Sequence, residues 1–198
     1  MILFGASGHA KVIIDILKGN GVQVEKIYDD NPRIDNIFGI GVEHSSQIGE
    51  NKAAIISVGN NINRKKISEK YKFQYQIAVH KTAAISVHSK IGEGTVIMAN
   101  VAVNPSVEIG KHCIINTGVV LEHDCKISDF AHISPNAALA GNVEVGEGTH
   151  VGIGASVIQG IKIGKWATIG AGAVVIKDVP DFAVVVGNPA RIIKYNDL

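Results

Sequence analysis

A histidine between two carboxylates stands near the middle of the chain, at Glu122-His123-Asp124. Imidazole titrates near pH ~6.5 and a neighbouring carboxylate raises its basicity, so this pair is suited to remove a proton from a nucleophile. Adjacent side chains of a strand point to opposite faces, so Asp124 can reach His123 only where the chain bends. His123 is therefore a candidate general base, provided that the pair lies at a corner.

A glycine turn near the start of the chain, Gly5-Ala6-Ser7-Gly8-His9, is typical of a phosphate-bearing ligand site. Gly5 permits a tight turn, and Gly8 lets backbone N–H groups at the start of the next helix approach an anion. The turn departs from the dinucleotide fingerprint, because Ser7 and Ala10 stand where that fingerprint has glycine or a close equivalent. The pattern therefore argues against NAD.

Two further polar turns follow apolar runs in the same region. Asp29-Asp30 comes ~20 residues after the glycine turn, where an acidic group at a strand end meets ribose hydroxyls or a base edge. Gly59-Asn60-Asn61 ends the next apolar run. Three loops at one edge of a sheet predict a nucleotide pocket, and the alternative is a plain α/β cap whose Gly and Asn only form loops.

Eight histidines raise the question of a metal site. His132 and His150 are eighteen residues apart, but no third ligand has a suitable spacing, so no metal is expected. We expect most of the remaining histidines to lie at the surface, namely His44, His80, His88 and His112.

The element that must position His123 is a repeat of six residues. An aliphatic residue returns every six positions from Ile85 to Val175, and a small or β-branched residue follows each of them four places later. A period of six predicts a parallel β-helix with three short strands to a coil of eighteen residues and coils ~4.8 Å apart. Ordinary strands in a sandwich are the alternative, and they would need irregular, turn-rich breaks. Cys113 and Cys125 fall on the small positions, so they are read as core residues and not as a disulfide or a metal pair.

Residues 1–78 do not share this period and predict a small parallel α/β unit. We expect strands at Ile2–Phe4, Val24–Tyr28 and Ala53–Val58, a hairpin piece at Gly39–Val42, and helices at Ala10–Lys18 and Ile62–Tyr71. The inner face of the first helix is expected to carry Val12, Ile13, Ile16 and Leu17. The second domain, residues 79–198, is the β-helix with a C-terminal tail.

The composition excludes several classes of protein. The 198 residues carry a formal net charge of +1 without a block of like charges, so nothing points to nucleic acid or an anionic membrane. No apolar run reaches the ~18 residues of a membrane span, and no signal peptide is evident. We therefore expect a cytoplasmic protein.

The chain resembles the bacterial hexapeptide-repeat acetyltransferases, in particular the sugar acetyltransferases of the NeuD/PglD type. The resemblance covers almost all of the sequence. It rests on four motifs in this order: Gly5-Ala6-Ser7-Gly8-His9, Asp29-Asp30, Gly59-Asn60-Asn61 with Arg64, and Glu122-His123-Asp124 followed by His132. It implies a left-handed β-helix and a homotrimer with each active site between neighbouring prisms.

The resemblance also implies N-acetylation of a nucleotide-linked amino sugar, of the UDP-4-amino-4,6-dideoxy-sugar type, with acetyl-CoA as cosubstrate. His123 would be the base and Asp124 the residue that raises its basicity. Substrate-binding residues would be Ser7, Gly8, His9, Asp29, Asp30, Gly59, Asn60, Arg64 and Asn116. The acetyl-CoA groove would be lined by His132, Gly141, Ile153, Gly170 and Ala171.

The expected mechanism is direct attack of the sugar amine on the thioester, with a backbone N–H near Gly141 stabilising the oxyanion. O-acetylation of sialic acid or of a polysaccharide sugar is an alternative, because nitrogen and oxygen nucleophiles need the same base. A non-catalytic trimeric scaffold that binds a nucleotide sugar is an alternative of another class.

Overall fold

The computed structural model describes residues 1–49 and 52–197 and shows an α/β unit followed by a β-helix. The elements in chain order are β1 (Ile2–Phe4), α1 (Gly8–Gly19), β2 (Lys26–Asp29), β3 (Asn36–Ile37), β4 (Ile40–His44), a 3-10 helix (Ser45–Gln47), β5 (Ala53–Ile56), α2 (Asn61–Lys70), β6 (Gln74–Tyr75), β7 (Ala78–Val79), β8 (Ala84–Ile85), β9 (Lys90–Ile91), β10 (Val96–Ile97), β11 (Ala102–Val103), β12 (Glu108–Ile109), β13 (Ile114–Ile115), β14 (Val120–Leu121), β15 (Lys126–Ile127), β16 (His132–Ile133), β17 (Ala138–Leu139), β18 (Glu144–Val145), β19 (His150–Val151), β20 (Ser156–Val157), β21 (Lys162–Ile163), β22 (Thr168–Ile169), β23 (Val174–Val175), β24 (Ala183–Val186) and β25 (Arg191–Tyr195).

The α/β unit is a sheet of order β3-β4-β2-β1-β5-β6, in which β1 pairs in parallel with β2 and β5. The buried side chains of α1 are Ala10, Ile13, Ile14, Ile16 and Leu17. This differs from the predicted inner face, because Val12 is 39% exposed and Ile14 takes its place. The period of 3.6 explains the difference, since positions 10, 13, 14 and 17 share one face of a helix and position 12 does not.

The β-helix has three walls, named here by their strands. Wall 1 contains β7, β10, β13, β16, β19, β22 and β24, with β25 antiparallel at its end; wall 2 contains β8, β11, β14, β17, β20 and β23; wall 3 contains β9, β12, β15, β18 and β21. From β7 to β23 the strands within a wall are parallel and pair residues eighteen apart, as Val96 pairs with Ala78 and Ile114; β22 and β24 pair residues sixteen apart. The predicted fold class, an α/β unit followed by a parallel β-helix of hexapeptide repeats, is confirmed.

The interior of the β-helix consists of the lead aliphatic residues and the small residues that follow them. Cys113 and Cys125 are buried and unbonded to each other, as predicted. Two small positions hold threonine instead of an apolar residue. Thr95 and Thr149 are tolerated because their hydroxyls donate to the carbonyls of Gly110 (2.8 Å) and Gly164 (2.6 Å).

The outward faces of the three walls differ in chemistry. Wall 3 presents alternating charges, at Lys90, Glu108, Lys126, Glu144 and Lys162. Wall 2 presents small or apolar side chains that are half-buried or exposed, at Ala102, Val120, Ala138, Ser156 and Val174. Wall 1 presents Ala78, Val96 and Ile114 to the apolar core of the α/β unit. The α/β unit therefore packs against wall 1.

The predicted boundary between residues 78 and 79 remains a prediction. β7 spans it and pairs with β10, so both sides of the boundary belong to wall 1. Leu198, the last residue of the predicted second domain, lies outside the described residues. Across 1–49 and 52–197 we find no helix with the length and apolarity of a membrane span.

Candidate active site

His123 lies at the corner between wall 2 and wall 3, after β14 and before β15. Asp124 has a φ of 63°, in the left-handed region, and this turns the chain so that its carboxylate faces back toward His123. Nδ1 of His123 lies 2.8 Å from Oδ2 of Asp124. A carboxylate only accepts, so Nδ1 carries the proton and Nε2 is left as the basic nitrogen. The His123 side chain is 64% exposed, so Nε2 is accessible to a substrate.

Gly141 occupies the same corner one coil later, where it supports the His123 ring. A Cβ built at Gly141 would lie 2.6 Å from Cε1 and 2.7 Å from Nε2 of His123. Only glycine leaves room for the imidazole there. The backbone N–H of Gly141 has no hydrogen-bond partner within residues 1–49 and 52–197, so it is a free donor beside the basic nitrogen.

The glycine turn of the α/β unit is shaped by close approach to β5 and by Asp29. Gly5 has a φ of 113°, and a Cβ there would lie 2.5 Å from Cγ2 of Val58. Asp29 accepts a hydrogen bond at each carboxylate oxygen, from the N–H of Ala6 (2.8 Å) and from that of Asn31 (2.8 Å). Asp29 therefore orients the glycine turn from within the protein.

The exposed groups of this turn are Ser7 and Gly8, at the start of α1. Ser7 is the N-cap residue of α1, but its hydroxyl does not cap the helix and lies 3.4 Å from the carbonyl of Ser57. Backbone N–H groups at a helix start favour an anion, so this end of α1 suits a phosphate.

Asp30 follows at the adjacent strand end. Its Oδ1 accepts from the hydroxyls of Ser45 and Tyr71 (3.1 Å) and lies 3.4 Å from Nζ of Lys70. Partial burial raises the pKa of Asp30, but these hydrogen bonds outweigh it and leave the pKa below its usual value. The carboxylate is therefore charged at neutral pH and half-exposed at the same sheet edge as the glycine turn.

The third predicted loop caps α2. Oδ1 of Asn60 accepts from the N–H of Asn63 (2.9 Å), and Gly59 is half-buried beside it. Arg64, predicted to hold the nucleotide, is only 1% exposed. All five of its N–H donors are used inside the protein, which differs from that prediction. Their acceptors are the carbonyls of His112 (2.7 Å), Phe130 (2.8 Å), Val58 (3.1 Å) and Gly59 (3.1 Å) and Oδ1 of Asn61 (2.9 Å).

A cavity of about 530 Å³ opens between this loop and wall 1. It is lined by Gly59, Asn60, Asn61, Ile62, His132, Gly148, His150, Trp166, Ala167, Thr168, Asn196 and Asp197. The rings of His132 and His150 lie edge to face, with centroids 4.8 Å apart. These two histidines pair in register between β16 and β19, as their separation of eighteen residues, one full coil, requires.

The protonation state of His132 follows from its neighbours. Oδ1 of Asn116 accepts from the N–H of Thr117 (2.8 Å), so its amide nitrogen faces Nε2 of His132 at 3.1 Å. Nε2 therefore accepts, and the proton of His132 is on Nδ1. Burial, and next the proximity of His150, lower the pKa of His132 to about 3. His132 is a neutral hydrogen-bond donor at the cavity.

The remaining predicted residues lie at the corner between walls 1 and 2. Ile153 is 54% exposed there, and Ala171 follows one coil later. A Cβ on the neighbouring Gly170 would lie 2.7 Å from Cγ1 of Val186. Wall 2 separates this corner from His123, so within one chain the predicted base lies beside Gly141 but not beside Ile153, Gly170 and Ala171.

His9 ends the glycine turn and lies in the first turn of α1. Its side chain is largely buried at the start of α1, and Nε2 has no hydrogen-bond partner among the residues that the structure describes. Burial, and next the charge of Arg64, lower the pKa of His9 to about 4. After burial, His150 and Arg64, the charge of His9 also lowers the pKa of His132.

The prediction that His112 is a surface residue is wrong. His112 is 4% exposed, lies flat on Phe130 with centroids 5.3 Å apart, and meets the ring of Tyr75 edge-on at 4.4 Å. The α/β unit covers this corner of the β-helix, which the repeat alone does not reveal. No group of three or more His, Cys, Asp or Glu residues is placed to hold a metal ion in the described parts of the chain.

The sequence did not indicate Trp166 and Asn196 at the cavity, and it indicated Asn61 only as part of the Gly59-Asn60-Asn61 loop. The available signal was α2 itself, which has no apolar stripe although Asn61 and Arg64, three residues apart, are buried. A helix of this kind must pack through polar contacts.

Comparisons with known proteins place both parts of the chain. Residues 1–71 match the family model of the PglD N-terminal domain, and residues 88–123 match that of the bacterial transferase hexapeptide (six repeats). Perosamine N-acetyltransferase from Caulobacter crescentus is 36% identical, with a TM-score of 0.92 over 98% of this chain and 96% of that one. Structures of that enzyme, and of variants with one histidine replaced by asparagine or alanine, contain CoA and GDP-perosamine.

The acetyltransferase domain of PglB from Neisseria gonorrhoeae is 33% identical, with a TM-score of 0.90 over 97% of this chain and 98% of that one. It has also been solved in complex with acetyl coenzyme A. A curated relative, an uncharacterized protein of Acanthamoeba polyphaga mimivirus, is 33% identical over 99 residues, or 48% of this chain. The chain spans 20% of the length of that relative.

Proposed function

The chain belongs to the PglD-type family of hexapeptide-repeat sugar acetyltransferases, and we propose that it transfers an acetyl group from acetyl-CoA to the amine of a nucleotide-linked amino sugar. The observation that carries this proposal is the corner of His123, Asp124 and Gly141, where an exposed basic nitrogen lies beside a free backbone donor. General-base acyl transfer needs these two groups together.

In the proposed reaction the amine nitrogen forms a bond to the thioester carbonyl carbon. Nε2 of His123 takes the proton that the nitrogen loses, and the N–H of Gly141 donates to the oxyanion. The carbon–sulfur bond then breaks, and CoA leaves as a thiolate that takes up a proton. Asp124 accepts from Nδ1 throughout and stabilises the imidazolium that forms. Variants of the Caulobacter enzyme with one histidine replaced were crystallised with both CoA and GDP-perosamine. For this chain we expect replacement of His123 to lower kcat and to leave the binding of both substrates unchanged.

The nucleotide end of the substrate is proposed to bind at the edge of the α/β sheet. Ser7 and Gly8 start α1 and offer N–H groups to the phosphates, and Asp30 presents a charged carboxylate to the ribose or the base. Gly59 and Asn60 form the opposite rim and open into the cavity at His132. Sequence resemblance implies UDP as the nucleotide, whereas the Caulobacter relative was crystallised with GDP-perosamine, so both are tested below.

We propose that the active site is completed by a second copy of the chain in a homotrimer. Wall 2 has an outward face of small side chains, and exposed Ile153, Ile158 and Ile176 lie at its two edges. If wall 2 faces a three-fold axis, one edge of each wall meets the opposite edge of the next. That arrangement brings the edge that carries His123 in one copy against the edge that carries Ile153 and Ala171 in its neighbour, and acetyl-CoA would bind along the groove between the two edges.

The test is thiol release from acetyl-CoA with a panel of UDP-, GDP- and dTDP-linked amino sugars, and with the same sugars carrying a hydroxyl in place of the amine. We expect release only with an amino sugar. Release with the hydroxyl sugars alone would indicate O-acetylation, and nucleotide-sugar binding without any release would indicate a scaffold. Sedimentation equilibrium on the same protein is expected to show three chains per particle.

A further inference from the structure

The α/β unit is fixed to the β-helix by one face of α2. The contacts on the β-helix side belong to the corner between wall 3 and wall 1, which places His112, Phe130 and Gly148 one above another, eighteen residues apart. Arg64 donates to the carbonyls of His112 and Phe130, and Nδ2 of Asn61 donates to that of Gly148 at 3.0 Å. Three successive coils are therefore hydrogen-bonded to two residues of one helix.

The spacing of these contacts has a physical basis. Three residues of an α-helix rise ~4.5 Å, which is close to the ~4.8 Å between neighbouring strands. Residues 61 and 64 can therefore reach carbonyls of successive coils only if α2 keeps one register along the corner. A slip of one coil would leave donors and carbonyls unpaired in a buried interface.

Arg64 joins this corner to the nucleotide loop. Its Nη1 donates to the carbonyls of Val58 and Gly59, both at 3.1 Å, while Nε and Nη2 hold the coils. Lysine could not replace the guanidinium, because its three N–H donors belong to one nitrogen atom and cannot reach five oxygens in one plane.

The guanidinium is also a buried charge without a counter-ion. No carboxylate lies within ion-pair distance of Arg64 in the described portions of the chain. Burial lowers the pKa of Arg64 to about 10, so it is charged at neutral pH. An uncompensated buried cation is costly, and only its carbonyl cradle and an anion nearby can offset the cost. The phosphates proposed at the adjacent loops are such anions.

We propose that Arg64 is a positioning residue, which holds the Gly59–Asn61 loop in register with the coils of wall 1 so that a nucleotide sugar bound by the α/β unit is presented to the cavity at His132. This inference rests on the proposed function. Arg64 touches neither substrate in this account, and it acts through the carbonyl of Gly59 and through Asn61.

The test compares Arg64→Lys, which keeps the charge, and Arg64→Met, which removes it, with Lys66→Met on the exposed side of the same helix. Nucleotide affinity is measured by calorimetry with UDP and GDP, and KM is measured for both substrates. We expect KM for the nucleotide sugar, and Kd for the nucleotide, to rise at least about tenfold in Arg64→Lys. KM for acetyl-CoA is expected to stay within twofold, and Lys66→Met should match the wild type.

Unchanged nucleotide affinity in Arg64→Lys would overturn the proposal, and so would an equal rise in KM for both substrates. Hydrogen exchange gives a second readout that needs no turnover. The amides of Gly59 to Ile62 should exchange faster in Arg64→Lys while those of wall 2 keep their wild-type rates. If the wild type acetylates no amino sugar, the proposed function fails, and the binding and exchange comparisons still decide the role of Arg64.

Discussion

At the level of single residues, the proposed proton transfer depends on which nitrogen of His123 is basic. Asp124 can face His123 because its φ of 63° places it in the left-handed region, which aspartate and asparagine tolerate better than most residues. The carboxylate selects the tautomer with the proton on Nδ1. The substitution Asp124→Asn removes the carboxylate without disturbing the turn.

The substitution Asp124→Asn is expected to lower kcat at least about tenfold, because an amide can present its NH2 group to Nδ1 and favour the wrong tautomer. KM for either substrate should stay within twofold. Steady-state kinetics with both substrates varied make the measurement. A kcat equal to that of the wild type would show that the carboxylate does not act through His123.

At the scale of elements, the corner of the β-helix positions the base. Each corner repeats every eighteen residues, so the residue one coil later lies directly over His123. That residue is Gly141, and its lack of a side chain is what lets the imidazole lie against the backbone donor.

We therefore expect Gly141→Ala to lower kcat at least about tenfold by displacing the ring, since misplacement by about 1 Å can cost a hundredfold. The thermal midpoint should change little, because the corner is exposed. Gly19→Ala, at the end of α1 with open space around it, is the matched control and should behave as the wild type. Retention of full kcat in Gly141→Ala would mean that the ring is not held at this corner.

The sequence predicts the elements better than the contacts between them. The six-residue period specifies the three walls and their register, because each position repeats the same side-chain requirement from Ile85 to Val175. The role of Arg64 could not be predicted, since its partners are backbone carbonyls that no side chain reveals. The burial of His112 was missed for the same reason, because it depends on where α2 and Tyr75 cover the corner.

At the scale of the whole molecule, burying histidines between the two units makes the protein sensitive to acid. Burial, and next Arg64, lower the pKa of His112 to about 4, and its Nδ1 is among the buried atoms without a hydrogen-bond partner in the part of the chain described. The pKa values of His9 and His132 are also lowered by burial. Above pH ~6.5 these groups are neutral in both folded and unfolded states, so they do not change the free energy of unfolding.

As the pH falls from ~6.5 toward 4, the unfolded chain binds protons that the folded protein does not, so stability is lost by about 1.4 kcal/mol per pH unit for each such histidine. His112→Phe keeps the ring stack and tolerates the corner, as Phe130 does at a φ of 60°. We expect its free energy of unfolding to fall by roughly 2–3 kcal/mol less than that of the wild type between pH 7 and 4.5. Denaturant titrations at both pH values measure the free energy of unfolding, and His88→Asn, at an exposed position, is the control. If His112→Phe and the wild type lose the same free energy of unfolding between the two pH values, the burial of a neutral His112 is contradicted.

The central claim is that the imidazole at the wall 2–wall 3 corner takes the proton of the attacking amine. The measurement that tests it most directly is kcat and nucleotide-sugar affinity for His123→Ala beside His88→Ala, an exposed histidine on another coil. We expect His123→Ala to lose at least ~10²-fold in kcat with nucleotide-sugar Kd unchanged, while His88→Ala matches the wild type. A wild-type kcat in His123→Ala, or a loss explained by weaker nucleotide binding alone, would contradict it.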